Sequence, residues 1–344
     1  MTTFTKDLET TISILAAKGK GILAADESGA TIGKRFEAHG IPSTEDTRRA
    51  YREMLTSTPG ISDYIAGVIL FDETLNQTTS TGVPFPEFLK KQNILAGIKV
   101  DKGLAIIPNT QDEQFTQGLD GLAERLADYK KKGASFAKWR SVYNITATTP
   151  SKLAIRTNAE GLASYAALCQ AAGIVPMVEP EILIDGDYTI EQSARVAEEV
   201  LHAVFDALHH HKVKLEHMIL KPSMVISGKK SSKQASNEQV GRMTVEVLKR
   251  TVPAAVPTIN FLSGGQSCEQ ATNNLQEMNA LGHLPWNLSY SYARALQDYP
   301  MKIWKGDAKN VAAAQKVFHT RARLNSLAAV GKYSPSMEKE TSPA

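Results

Sequence analysis

Several ionisable residues sit where short apolar runs come to an end. Asp26 closes Gly21–Asp26, Lys138 and Arg140 lie in Phe136–Ser141, Glu179 and Glu181 end Ile174–Glu181, and Lys221 follows Met218-Ile-Leu. Taken singly, each reads as a solvated strand end. Lys, Glu and Asp are rarely buried unless paired, yet here each is preceded by apolar sequence. Side chains at i and i+2 of an extended segment share a face, so Lys138 points with Arg140 and Glu179 with Glu181. Two lysines, an arginine and three carboxylates on one site suit a defined chemistry. An amine attacks a ketone only when neutral, and burial and nearby cations disfavour the ammonium. Lys138 is the cationic neighbour expected for Lys221. Attack by Lys221 on a ketone gives a Schiff base, an electron sink for breaking a carbon–carbon bond. Pro222 restricts Lys221 to extended backbone.

Anion-binding signals flank these groups. In Phe261-Leu-Ser-Gly-Gly-Gln266, Ser263, Gly264 and Gly265 follow an apolar run. Glycines there let backbone N–H groups approach an anion. Arg294, in Ser291-Tyr-Ala-Arg, supplies a guanidinium in the next loop. Ser28, Thr31, Lys34 and Arg35 follow Asp26 as a second polar and basic set, also consistent with an ordinary helix start. Two anion sites flanking one lysine suggest a bisphosphorylated substrate.

The elements that must hold these residues alternate along the chain. Eight β-like runs occur: Gly21–Asp26, Ile65–Phe71, Gly103–Ile107, Phe136–Ser141, Ile174–Glu181, Met218–Met224, Thr258–Gly264 and Asn287–Ser291. Between them, Gly118–Lys131, Glu191–His209, Gln239–Arg250 and Cys268–Ala280 show helical periodicity. Eight βα units predict a (β/α)8 TIM barrel, an α/β fold whose catalytic groups sit at the C-terminal ends of its strands. A Rossmann fold would need a G-x-G-x-x-G after its first strand, and Gly21 to Gly33 has none. The expected organisation is one barrel domain over residues 1–331 and a flexible tail over 332–344. Ser227–Ser236 reads as a polar surface loop.

Bulk composition excludes other classes. Lys plus Arg is 39 and Asp plus Glu is 36, a net charge of +3. That balance argues for neither nucleic acid nor a membrane partner. No apolar run approaches the ~20 residues of a membrane span, and the N-terminus reads as neither signal nor transit peptide. A soluble cytoplasmic protein is expected. Cys169 and Cys268 suggest no disulfide framework or metal spacing, and a reducing compartment follows. His209-His210-His211 cannot share one helix face and reads as a surface run.

The chain resembles the class I fructose-bisphosphate aldolases over nearly its whole length. The words that carry the resemblance include Gly19-Lys-Gly-Ile-Leu-Ala-Ala-Asp-Glu-Ser28, Gly97-Ile-Lys-Val-Asp-Lys-Gly103, Phe136-Ala-Lys-Trp-Arg140, Val178-Glu-Pro-Glu-Ile182, Leu220-Lys-Pro222 and Phe261-Leu-Ser-Gly-Gly-Gln-Ser267. The resemblance implies reversible cleavage of fructose 1,6-bisphosphate to dihydroxyacetone phosphate and glyceraldehyde 3-phosphate. It implies Lys221 as the Schiff-base lysine and Glu179 as general acid/base. Asp26 would bond the carbinolamine and the C4 hydroxyl, Lys138 would position substrate, and Arg140 and Glu181 would tune the network. Ser263, Gly264 and Arg294 match the C1-phosphate site. Ser28, Thr31, Arg35 and Lys99 match the C6-phosphate end, with Thr31 in place of the usual Ser, and Arg48 matches a basic position near the entrance. No metal or cofactor and a homotetramer are implied. Two departures stand out. Ala293 replaces the Gly that usually precedes the barrel arginine. Many members end in a tyrosine that exchanges the enamine C3 proton, whereas this sequence ends Thr-Ser-Pro-Ala344, so proton return is expected to be slow or to use another group. The alternatives are an aldolase tuned to another phosphorylated ketose and a barrel scaffold that has lost turnover.

Overall fold

The computed structural model describes residues 4–340. The βα alternation closes into a parallel eight-stranded barrel. Its strands are β1 (Gly21–Ala25), β2 (Ile65–Leu70), β3 (Leu95–Lys99), β6 (Ala134–Tyr143), β7 (Val175–Ile182), β8 (Ile219–Leu220), β9 (Thr258–Phe261) and β10 (Asn287–Tyr292). Around the barrel they run β1-β10-β9-β8-β7-β6-β3-β2, with β2 returning to β1. The two remaining strands, β4 (Leu104–Ile106) and β5 (Gln114–Thr116), form a separate antiparallel pair.

That pair corrects one expectation. Gly103–Ile107 is not the third barrel strand; Leu95–Lys99 is. The true strand is masked by Gly97, which weakens its strand pattern. The barrel needs that glycine, because a Cβ there would lie 2.3 Å from the ring of Phe136. Gly103–Ile107 has strand-like composition but is half outside, with Leu104 and Ile106 exposed.

Strand alternation sorts side chains into two layers. Leu23, Ala25, Val68, Leu70, Ala137, Trp139, Val178, Leu220 and Phe261 join the outer core, packed with the surrounding helices. Ile22, Ala24, Phe136, Val175, Met177 and Ile219 form an inner cluster with Leu8, Ile12 and Leu15 from the helix Thr5–Leu15. That helix closes the N-terminal end of the barrel.

Helix starts are set by side-chain caps. Thr189 and Gln192 form a capping box, as do Ser236 and Gln239, and Ser267 caps the helix Cys268–Ala280. Such caps supply acceptors for N–H groups that the first helical turn leaves without partners. Residues 332–340, expected as the start of a flexible tail, pack against the barrel. Tyr333 is buried and its Oη donates to Glu338 at 2.9 Å, while Glu338 pairs with the buried Arg321 at 2.5 Å. The rest of the expected tail, residues 341–344, lies outside the described residues.

Candidate active site

The inward residues at the strand ends converge on one buried cluster. On β1 the alternation Ile22, Ala24, Asp26 brings a carboxylate to the mouth. On β6 Phe136, Lys138, Arg140 does so for two cations, and on β7 Val175, Met177, Glu179, Glu181 for two carboxylates. Lys221 lies one residue past β8, where Pro222 removes the next ladder donor. Its own N–H still bonds the Val178 carbonyl of β7 at 2.8 Å. The register sets Arg140 beside Glu179 and Lys99 beside Lys138.

Lys138 Nζ lies 2.8 Å from Asp26 Oδ2 and 3.2 Å from Glu179 Oε2, and Lys221 Nζ lies 3.1 Å from Glu179 Oε1. All four residues are buried, with Lys221 only 3% exposed. Farther out, Arg140 Nε pairs with Glu181, and Lys99 Nζ pairs with Asp101 Oδ1 at 2.5 Å. Burial alone would raise both carboxyl pKa values and lower that of Lys138. Opposite charges win in each case. Lys138 and Lys221 hold the Asp26 and Glu179 carboxyls below their ordinary values despite burial. Asp26 and Glu179 hold the Lys138 ammonium well above the lysine range despite the same penalty. Lys138 is therefore a fixed cation. Glu179 Oε2, close to that ammonium but without a hydrogen-bond partner, keeps an acceptor position open.

The cluster floors a cavity of about 1530 Å³ at the C-terminal end of the strands. Asp26, Ser28, Thr31, Arg35, Lys99, Lys138, Arg140, Glu179, Glu181, Lys221, Ser263, Gly264 and Arg294 all line it. Gly264 and Gly265 adopt φ of +50° and +82°, the left-handed region that favours glycine. Arg294 is exposed at the cavity, and no carboxylate pairs with it among the described residues. On the opposite side, Ser28 caps the helix Gly29–Glu37, accepting from the Thr31 N–H. Arg35 is more committed: it pairs with Glu27 and with Asp298 at 3.0 Å.

Arg48 is not brought to the site. It does not line the cavity, and its guanidinium bonds Glu73 at 2.5 and 2.9 Å. Residues that sequence reasoning passed over include Glu27, whose carboxylate neutralises Arg35, and Asp101, which holds Lys99 and donates nothing in return. Both stand one or two positions from named residues, in Asp26-Glu-Ser28 and Lys99-Val-Asp101. The i, i+2 rule could have flagged Asp101, since it shares a face with Lys99. Ala293, noted for its departure from Gly, lies in the cavity wall with φ −100° and ψ −87°, a conformation that does not require glycine.

A parallel barrel with a buried lysine–carboxylate cluster at its C-terminal mouth, and an exposed arginine beside a glycine turn, defines a barrel enzyme for small anionic substrates. Comparison with known proteins sharpens that class. Residues 7–344 match the family described as glycolytic, fructose-bisphosphate aldolase class I. A probable fructose-bisphosphate aldolase class 1 of Xanthomonas campestris is 53% identical over 329 residues, covering 95% of this chain and 98% of the relative. The fructose-bisphosphate aldolase of Dictyostelium discoideum is 52% identical over 333 residues, covering 96% and 93%. A fructose-bisphosphate aldolase of Plasmodium falciparum, solved with TRAP and a small-molecule inhibitor, superposes with a TM-score of 0.94 at 50% identity, covering 96% of this chain and 95% of that one. The chain belongs to the class I fructose-bisphosphate aldolases.

Proposed function

We propose that this chain carries out its family's reaction, the reversible cleavage of fructose 1,6-bisphosphate to dihydroxyacetone phosphate and glyceraldehyde 3-phosphate, through a covalent imine on Lys221. The observation that carries the proposal is the unequal pairing of the two central lysines. Lys138 faces two carboxylates and Lys221 one. The first is pinned between Asp26 and Glu179; the second has a single carboxylate beside it and is the amine placed to attack.

In this reading Lys221 Nζ adds to the C2 carbonyl. Glu179 then donates a proton to the carbinolamine oxygen, which leaves as water, and the iminium forms. Asp26 and Glu179 hold the C4 hydroxyl. Transfer of that hydroxyl proton to the Glu179 carboxylate breaks the C3–C4 bond. Its electron pair moves into the iminium to give an enamine, and the aldehyde departs. Protonation at C3 and addition of water return the amine and release the ketone phosphate. The iminium is the electron sink, so the step needs no metal. Lys138 supplies fixed positive charge where oxyanions develop. Ser263, the Gly264 turn and Arg294 hold the phosphate next to C2, with Arg140 and Glu181 closing that side. Ser28, Thr31, Arg35 and Lys99 hold the distal phosphate. Arg48, on its Glu73 partner, contributes only at the outer entrance.

The barrel over residues 1–331 acts as a single domain, its following segment as an appendage. The enzyme works in the cytoplasm and as a homotetramer. The absence, among the described residues, of a helix long and apolar enough to cross a membrane fits that location, and a spinach cytoplasmic isozyme is 52% identical. Sedimentation of the purified protein tests the assembly.

Borohydride reduction in the presence of fructose 1,6-bisphosphate tests the chemistry. A stable adduct on the peptide carrying Lys221 is expected, with turnover that survives EDTA. An adduct mapped to another lysine, or activity lost to the chelator, overturns the reading.

A further inference from the structure

Behind the Ser263–Gly265 turn lies a buried pair of amides that the reaction itself does not use. Gln266 is 6% exposed and Asn274 fully buried. The Ser263 carbonyl accepts twice from the same residue: from the Gln266 backbone N–H at 3.0 Å and from Gln266 Nε2 at 3.0 Å. A carbonyl can only accept, so the amide nitrogen of Gln266 must face it. That turns Gln266 Oε1 towards the helix Cys268–Ala280, where Asn274 Nδ2 donates to it at 2.7 Å. Asn274 is then left with Oδ1 buried and unpartnered. The orientation of both amides thus follows from one acceptor. An unpartnered buried oxygen is costly, so the arrangement holds the turn at the expense of local stability. Gln266 Nε2 also lies 3.5 Å from Met224 Sδ, on the segment that continues from Lys221, and the Leu262 N–H bonds the Pro222 carbonyl at 3.2 Å. The nucleophile's segment and the anion turn are therefore tied together by the Leu262–Pro222 bond and by the contact of Gln266 with Met224.

We propose that Gln266 is a positioning residue. By drawing the Ser263 carbonyl inwards it turns that acceptor away from the cavity, leaving the Ser263 hydroxyl and the following N–H groups to face the substrate phosphate next to C2. A carbonyl oxygen turned the other way would repel a phosphate dianion. Asn274 adds a second bond to the sense of the Gln266 amide that the Ser263 carbonyl sets. The proposal rests on reading Ser263, Gly264 and Arg294 as the phosphate site.

The test compares Gln266→Met, Asn274→Leu, Arg294→Ala and wild type. Methionine keeps the length of Gln266 and removes both polar atoms. For Gln266→Met, KM for fructose 1,6-bisphosphate is expected to rise about 10-fold, in line with loss of one or two hydrogen bonds, and kcat to fall less than KM rises. Inhibition by inorganic phosphate should weaken in parallel. Borohydride trapping of unphosphorylated dihydroxyacetone on Lys221 should stay at the wild-type level, which a general loosening of the fold would not allow. Asn274→Leu should shift KM in the same direction by a smaller factor, because the Gln266 amide loses one of its two orienting bonds and keeps the other. If Gln266→Met leaves KM and phosphate inhibition unchanged while Arg294→Ala alters both, the positioning role is wrong and the phosphate site stands. If Arg294→Ala also changes neither, the phosphate reading itself fails. If Gln266→Met lowers trapping of both ketones equally, Gln266 is structural and the proposal is overturned.

Discussion

The floor and the mouth of the barrel are made by the same strands and obey opposite rules. At the floor Ile22, Phe136, Val175, Met177 and Ile219 pack on Leu8, Ile12 and Leu15. Two residues further along each strand the same inward face carries Asp26 beyond Ala24, Lys138, Glu179 and Lys221. Fully burying a floor side chain stabilises by about 1.5–3 kcal/mol. A buried ion cluster uses most of its Coulomb attraction to offset its own desolvation. The floor holds the barrel closed, and the mouth uses that stability to keep charges out of water and aimed at one another. Stability and reactivity are thus segregated along each strand.

The sharpest way to break this comparison is to exchange the losses. Lys221→Met should abolish turnover, by at least ~10⁴-fold as for other covalent nucleophiles, and abolish borohydride trapping, while costing less in urea unfolding than Phe136→Ala because Glu179 keeps Lys138 as a partner. Phe136→Ala should do the reverse. Its ring fills the space over Gly97 and Gly67, so truncation should cost about 3–5 kcal/mol in urea unfolding, with KM per folded molecule nearly unchanged. A Phe136→Ala enzyme of normal stability, or a Lys221→Met enzyme that still turns over, would show that floor and mouth are not separable.

A milder change tests the electrostatics within the mouth. In the wild type burial pushes the Asp26 and Glu179 carboxyls up, and Lys138 and Lys221 more than compensate. Each value is depressed, so each carboxylate stabilises the fold above its unfolded value, about 3.9 and 4.3, and loses that contribution as pH falls through the folded value. Lys138 is raised, so its contribution is complete below about 10.4 and fades only on the alkaline side. Lys138→Met removes the main opponent of burial. Both carboxyl values should rise, moving the acid limb of kcat/KM to higher pH. Breaking the pair should also cost about 3–5 kcal/mol near pH 7, less of it at low pH. An acid limb that stays in place would mean that Lys138 does not set the state of Glu179.

Much of this was legible because the two regions share one periodicity. An apolar run that ends in a charge, repeated on several strands, is a pattern that period-2 alternation makes visible in one dimension. Where packing overrode local pattern, the reading failed. Leu95–Lys99 is interrupted by a glycine needed only because Phe136 lies across it, and the exposed Leu104 and Ile106 imitated a barrel strand. The Gln266–Asn274 pair was invisible, since nothing in Gln266-Ser-Cys-Glu-Gln-Ala-Thr-Asn-Asn274 distinguishes a buried amide from a surface one. The contact of Glu338 with Arg321 likewise depends on the chain turning back on the helix Val311–Ala328, which no local pattern marks. The pairing of Arg48 was hidden for a related reason: its charge is taken up by Glu73, which only the fold brings to it.

Arg48 also gives the smallest of these tests, one that locates the edge of the mouth. Its guanidinium is spent on Glu73, outside the cavity lining. Arg48→Ala does not strand that carboxylate, because Arg52 Nη1 still lies 3.3 Å away. A partly exposed pair of this kind contributes about 0–1 kcal/mol, so the urea midpoint should hardly move. KM for fructose 1,6-bisphosphate should rise less than about 3-fold, against about 10-fold or more for Arg294→Ala, whose charge has no carboxylate partner among the described residues and lies beside Gly265. The two variants measured together under one salt concentration decide the matter. A loss for Arg48→Ala as large as that for Arg294→Ala would mean that Arg48 leaves Glu73 when substrate arrives, and that the mouth extends to the helix Glu45–Thr56.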